Sequence, residues 1–255
     1  MSAQIKKILL VLVLVSCASH CLHAQSGHYF LSHYKPSSDN ISYLSFDIQQ
    51  DNNGVLYFAN RSGVLQFDGR TWTMVPINGA IYSLAITQAG AVYASGSSGF
   101  GRIGRDAKNQ LGYLSLSDSL PSAKNIFSSL ATDRFIYFLN EDQLFRLDIT
   151  TSKASLLFSS TKAQGPYTGL FQVGSQLYLG TESEGLKKIE GSMLQPLDQP
   201  ELQNSQLIFS ERSPDGKADL LVTVDDRFYL KKENLPLRAL SWKDSLFLEI
   251  GRARV

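Results

Sequence analysis

Nucleophilic catalysis needs a nucleophile, a base and a group that orients the base. The chain has four histidines, His20, His23, His28 and His33, all within the first 33 of its 255 residues. A Ser-His-Asp arrangement would have to borrow His28 or His33, and a histidine-based zinc or iron site meets the same shortage. Asp51-Asn52-Asn53-Gly54 and Asp215-Gly216-Lys217-Ala218-Asp219 are rich in oxygen ligands. Neither has the alternating ligands and distal Glu of an EF-hand loop, so both read as turns. Gly96-Ser97-Ser98-Gly99-Phe100-Gly101 is glycine-rich but lies between two β-type segments, whereas a phosphate cradle needs a helix to follow. These absences predict no catalytic residue, no metal and no cofactor.

The remaining chemistry is recognition. Tyr43, Phe127 and Tyr167 stand at the starts of apolar segments. Asn60, Arg61, Ser98, Phe100, Glu141, Glu182, Glu184 and Asp225 fall in or beside short polar loops. Aromatic faces beside carboxylates and amides suit a carbohydrate: the ring packs on the apolar sugar face, and the polar groups pair with hydroxyls. The plainer reading is that Asn, Asp, Ser and Gly in short loops are hairpin chemistry and the aromatics are packing. Glu141, Glu182 and Glu184 also keep a glycoside-active enzyme open as an alternative, because acid/base chemistry on sugars uses paired carboxylates. A second alternative is a structural module that binds protein.

The elements that must position these residues repeat along the chain. Each copy has an apolar strand, a polar turn usually containing Gly, an aromatic-centred strand, another turn and a short third strand. The centres are Tyr57, Tyr93, Tyr137, Tyr178 and Leu221, spaced by 36, 44, 41 and 43 residues. A period near 40 with three or four short strands per unit is the sequence signature of a β-propeller blade. The expectation is an all-β fold of about five propeller blades over residues 42–240, with the start of a sixth repeat or a truncated end at 241–255. A β-sandwich would not require so constant an interval between aromatic centres.

The first 24 residues read as an export signal. Lys6 and Lys7 precede an apolar run from Ile8 to Val15. Eight helical residues rise only about 12 Å against a hydrocarbon core of roughly 30 Å, so the run suits a signal and not a membrane span. Cleavage after Ala24 would leave a mature chain without cysteine and hence without disulfides. Leu14-Val15-Ser16-Cys17 is similar to a lipobox, which would make Cys17 a lipidated N-terminus. The first exit predicts a periplasmic protein and the second a membrane-anchored lipoprotein. Residues 25–41 form an entry segment to the repeats. Charge is balanced, 24 Lys+Arg against 23 Asp+Glu, with no basic run to hold nucleic acid.

The first repeat, from Asp47-Ile48-Gln49-Gln50-Asp51-Asn52-Asn53-Gly54 through Leu56-Tyr57-Phe58 to Gly63-Val64-Leu65-Gln66-Phe67-Asp68-Gly69 and Trp72, resembles the two-component regulator propeller repeat of bacterial sensors. The second and fourth repeats match less well, and the third and fifth weakly. The resemblance implies an extracytoplasmic ligand sensor. Relatives usually continue into further blades, a small sandwich domain, a membrane helix and an output domain. It therefore leaves three expectations open: five blades close a ring, a partner completes it, or the chain is part of a longer sensor.

Overall fold

A computed structural model describes residues 34–36, 41–105, 109–197, 202, 205–213, 215–233 and 235–241. The signal, Cys17, the histidines, nearly all of the entry segment and residues 242–255 lie outside the described residues. Tyr34–Pro36 belong to a separate unit, and the unit from Ser37 onward carries the repeats.

That unit is a β-propeller array of five four-stranded antiparallel sheets, each a simple meander of consecutive strands. The first sheet is β1 Ser45–Gln50, β2 Leu56–Asn60, β3 Gly63–Phe67 and β4 Trp72–Pro76. The second is β5 Ile81–Ile86, β6 Val92–Gly96, β7 Gly99–Arg105 and β8 Leu111–Ser115. The third is β9 Ser128–Ala131, β10 Phe135–Leu139, β11 Gln143–Asp148 and β12 Lys153–Ser159. The fourth is β13 Tyr167–Val173, β14 Gln176–Thr181, β15 Gly185–Glu190 and β16 Met193–Pro196. The fifth is β17 Leu207–Arg212, β18 Ala218–Thr223, β19 Phe228–Lys232 and β20 Arg238–Leu240.

Turn chemistry sets these boundaries. Asp51 Oδ1 accepts from the backbone N–H of Asn53 and Val55, both at 2.9 Å, and Gly54 takes φ 82° to close the β1–β2 turn. Asp215 Oδ1 likewise accepts from Lys217 N at 3.1 Å in the β17–β18 turn, where Gly216 has φ 70°. These carboxylates serve their own turns. At the β2–β3 hairpin a Cβ on Gly63, whose φ is +135°, would stand 2.3 Å from the Val75 carbonyl oxygen, so only glycine fits there.

Sheets pack face to face through four apolar clusters, one at each junction between successive sheets. Ala59 and Val64 meet Leu84 and Ala94 at the first junction. At the second, Phe100 stacks on Phe138 with centroids 3.9 Å apart and planes 5° from parallel. Leu139 and Leu144 meet Leu170 and Leu179 at the third, and Phe171 and Leu186 meet Leu207 and Leu221 at the fourth. The alternation along β6, β10 and β14 thus serves two junctions at once, one on each face of a sheet, whereas β2 and β18 each serve one. Large exposed apolar side chains concentrate on the first and last sheets, at Tyr43, Leu44, Phe46 and Ile48 and at Ile208, Phe209, Val224 and Leu235. Among the described residues no apolar cluster joins the fifth sheet to the first.

Candidate functional site

The antiparallel meander puts every first-strand entry and every hairpin between second and third strands at the same end of the array. Ser45 pairs with Asn60, Ile81 with Gly96 and Tyr167 with Thr181. The loop residues singled out in the sequence therefore share one end, which we call the mouth.

Their environments differ. Asn60 is buried, and its Nδ2 donates to the Ser42 carbonyl at 2.8 Å and to Ser45 Oγ at 3.2 Å while its Oδ1 accepts from Ser62 N. Phe100 has no exposed surface and belongs to the second junction. Neither presents a side chain to solvent, a correction to the expectation that both contact ligand. Its cause is that a hairpin amide is drawn into turn bonds, and an aromatic beside a hairpin is drawn into the junction. Tyr167 is also buried, 2% exposed, with its hydroxyl unpaired among the described residues, and burial pushes its phenol up to about 12.

Other mouth groups are engaged locally. The Ser98 hydroxyl donates to the Asn78 carbonyl at 2.6 Å. Glu184 pairs with Lys187 at 3.2 Å. Asp225 accepts from Thr223 Oγ1 at 2.6 Å and pairs with Arg227 at 2.8 Å, and the hydroxyl bond holds its carboxyl below the usual range. Backbone carbonyls tie hairpins to neighbouring sheets: Tyr167 N donates to Glu141 O at 2.7 Å, and Gln206 Nε2 donates to Glu182 O at 3.4 Å. The side chains of Arg61, Glu141 and Glu182 are exposed at the mouth, as is Tyr43 at 95%.

The first strands β1, β5, β9, β13 and β17 surround a shared channel of about 620 Å³. Its polar lining includes Gln49, Ser128, Thr168, Gln172, Ser210 and Glu211, and Phe127 contributes an aromatic wall. Of the residues expected to bind ligand, Phe127 alone lines this channel. The others named here were missed because they lie within strands and not in loops. The signal that could have found them is the first strand itself: in β13 and β17 Gln172 and Ser210 follow a run of apolar residues.

At the far end of the channel Arg212 and buried Asp219 line its wall. Asp219 Oδ2 accepts from Gly174 N at 2.9 Å, and burial raises the carboxyl's affinity for its proton despite that bond. Among the described residues no group of His, Cys, Asp and Glu is placed to hold a metal. None of their helices is long and apolar enough to cross a membrane.

No family model matches this sequence, and no curated protein matches it. Solved structures share the fold. The extracellular domain of a hybrid two-component system from B. thetaiotaomicron superposes with a TM-score of 0.58 at 12% identity, covering 82% of this chain and 30% of that one. Virginiamycin B lyase from Staphylococcus aureus gives 0.55 at 14% identity, covering 77% of this chain and 69% of the lyase. A chain of the mitotic checkpoint complex gives 0.54 at 12% identity, covering 76% and 64%. This chain thus spans less than a third of the length of the two-component domain. One architecture carries a sensor's ectodomain, a lyase and a checkpoint protein, so function must be argued from the site.

Proposed function

We propose that this chain is a ligand-binding propeller region of an extracytoplasmic two-component sensor, that its ligand is a carbohydrate, and that it does no catalysis of its own. The observation that carries this reading is the channel. Its volume is of the size that holds small ligands, roughly 300–1,000 Å³. Its lining combines aromatic side chains, Phe127, Phe171 and Phe209, with amides, hydroxyls and the Glu211 carboxylate. Gln49 and Gln172 can donate to and accept from sugar hydroxyls, Glu211 can accept, and Phe127 can take the apolar face of a pyranose. The exposed mouth residues Tyr43, Arg61, Glu141 and Glu182 would meet a longer oligosaccharide. The signal-like N-terminus and the propeller's likeness to a two-component ectodomain support an exported sensor. The exits at Ala24 and Cys17 correspond to a periplasmic protein and a lipoprotein. Output would come from other domains.

The test is a glycan array on the chain beginning at Gln25, followed by calorimetric titration. Saccharide binding that weakens about tenfold or more in Phe127→Ala and Gln172→Ala, with unchanged circular dichroism, is the expected result. Absence of binding to every saccharide class would overturn the carbohydrate reading. Turnover of a chromogenic glycoside, lost in Glu141→Gln or Glu182→Gln, would replace it with an enzyme.

A second reading is favoured by the exposed apolar run Tyr43, Leu44, Phe46 and Ile48 on the first sheet. Exposed apolar side chains gathered in one short segment suit a protein surface, another blade included.

A further inference from the structure

A second cavity lies between the fourth and fifth sheets, with a volume of about 310 Å³. Its floor is apolar, made by Val173, Leu186, Leu197, Leu202 and Leu221. Among the described residues its rim carries Arg212, Lys217, Lys231 and Lys232 against two carboxylates, Asp219 and Glu233. The whole chain has a formal charge of +1, so the rim's positive excess is larger than that of the entire molecule.

Apart from the field of buried Asp219 at Arg212, the partners of Arg212, Lys217 and Lys231 are neutral or exposed. Lys217 stands 3.8 Å from Asp215, an exposed pair of little strength. Arg212 donates through Nε and Nη2 to the Gly216 carbonyl, which fixes the guanidinium without neutralising it. Lys231 donates to the Leu235 carbonyl, again a neutral acceptor. Asp219 is turned to the Gly174 amide and is itself part of the wall.

We propose that this cleft binds a small organic carboxylate, its apolar body on the Leu197–Leu202–Leu221 floor and its anionic head at Lys217, Lys232 and Arg212. An inorganic anion would leave the floor unused. A neutral molecule would leave the rim's charge uncompensated in a half-enclosed site, where Coulombic attraction is less screened than at open surface. The cleft shares Arg212 and Asp219 with the far end of the channel, but its floor, Lys217 and Lys232 lie outside the channel lining, so it needs no occupant there.

The test titrates hexanoate, hexanamide and sulfate into the full folded chain, following amide shifts by NMR. Hexanoate should saturate, hexanamide should bind at least about tenfold more weakly, and sulfate should fail to compete. A Lys217→Gln/Lys232→Gln double variant should lower hexanoate affinity about tenfold with an unchanged melting temperature. Hexanoate that does not saturate below about 10 mM, or hexanamide binding equally well, would overturn the proposal. So would sulfate displacing hexanoate at equal concentration. If the double variant fails to fold, the comparison of acid with amide on the unaltered protein still decides.

Discussion

Asp47 on β1 reaches across a sheet junction: its Oδ2 accepts the backbone N–H of Leu84, on β5, at 2.8 Å. Ser83 does the same one sheet later, its Oγ accepting Ser129 N on β9 at 3.0 Å. Asp47 pairs with Ala59 and Ser83 pairs with Ser95, each directly after its strand's bulge, so the two latches occupy one register position. In the fourth sheet that position is Gly169, which has no side chain to offer. There the next junction is tied instead from the fifth sheet, by Asp219 to Gly174 N.

Removing a latch should cost stability through the donor it abandons. In Asp47→Ala the Leu84 N–H loses its acceptor in a residue that is 1% exposed. An unsatisfied buried donor costs about 1–3 kcal/mol. Asp47→Asn keeps an acceptor oxygen and should lose well under half of that. Urea denaturation of both variants checks the prediction, and equal losses would show that the charge matters and the latch does not.

The Phe100–Phe138 stack should be the most sensitive point of the second junction, since both rings are fully buried. Phe100→Ala should cost about 3–5 kcal/mol by lost transfer energy and the cavity left behind. Phe100→Leu should recover much of it. A loss below about 1 kcal/mol in equilibrium unfolding would mean that the junction is not packed as described.

Tyr167 offers the opposite sign. Its hydroxyl is buried at the third junction without a partner among the described residues, so deleting it removes a desolvation penalty. Tyr167→Phe should therefore be neutral or stabilising by about 1 kcal/mol, and it should raise the urea midpoint. A destabilisation of that size would reveal a partner for the hydroxyl.

The blade period was legible because one position repeats with one physical job. Tyr57, Tyr93, Tyr137 and Tyr178 all sit on second strands, opposite Gln66, Arg102, Arg146 and Lys188 on the third. Burial raises each phenol, and at Tyr93, Tyr137 and Tyr178 the facing cation pulls it partly back. A large ring with a polar tip opposite a long polar chain leaves a mark that survives sequence drift. The fourth strands left no such mark: Met193–Pro196 has no buried residue, because an outermost strand packs on one side only. The candidate site was half legible. Hairpin tips could be placed at one end from turn residues, but turn chemistry does not tell an exposed Glu141 from a buried Asn60. The channel's Gln49 and Gln172 are ordinary strand residues until the sheets are assembled.

Stability should fall in acid for a reason that lies in the turns. Asp68 closes the β3–β4 turn, its Oδ1 accepting from Arg70 N at 2.9 Å and Thr71 N at 2.6 Å, and its Oδ2 from Thr71 Oγ1 at 2.7 Å. These bonds, the Thr71 hydroxyl first, lower its pKa from 3.8 to about 2. A depressed native pKa means that the unfolded chain binds more protons between those values. The contribution is therefore complete above 3.8 and is lost as pH falls toward about 2. Asp148, Asp215 and Asp225 are lowered too and add in the same sense. Asp219, raised by burial, acts oppositely: its contribution declines as pH rises from 3.8 through its higher native value. Asp68→Asn keeps an acceptor and removes the titration, so its urea midpoint should decline less steeply than that of the unaltered chain between about pH 4 and pH 2. Parallel declines would place the acid sensitivity elsewhere than in this turn.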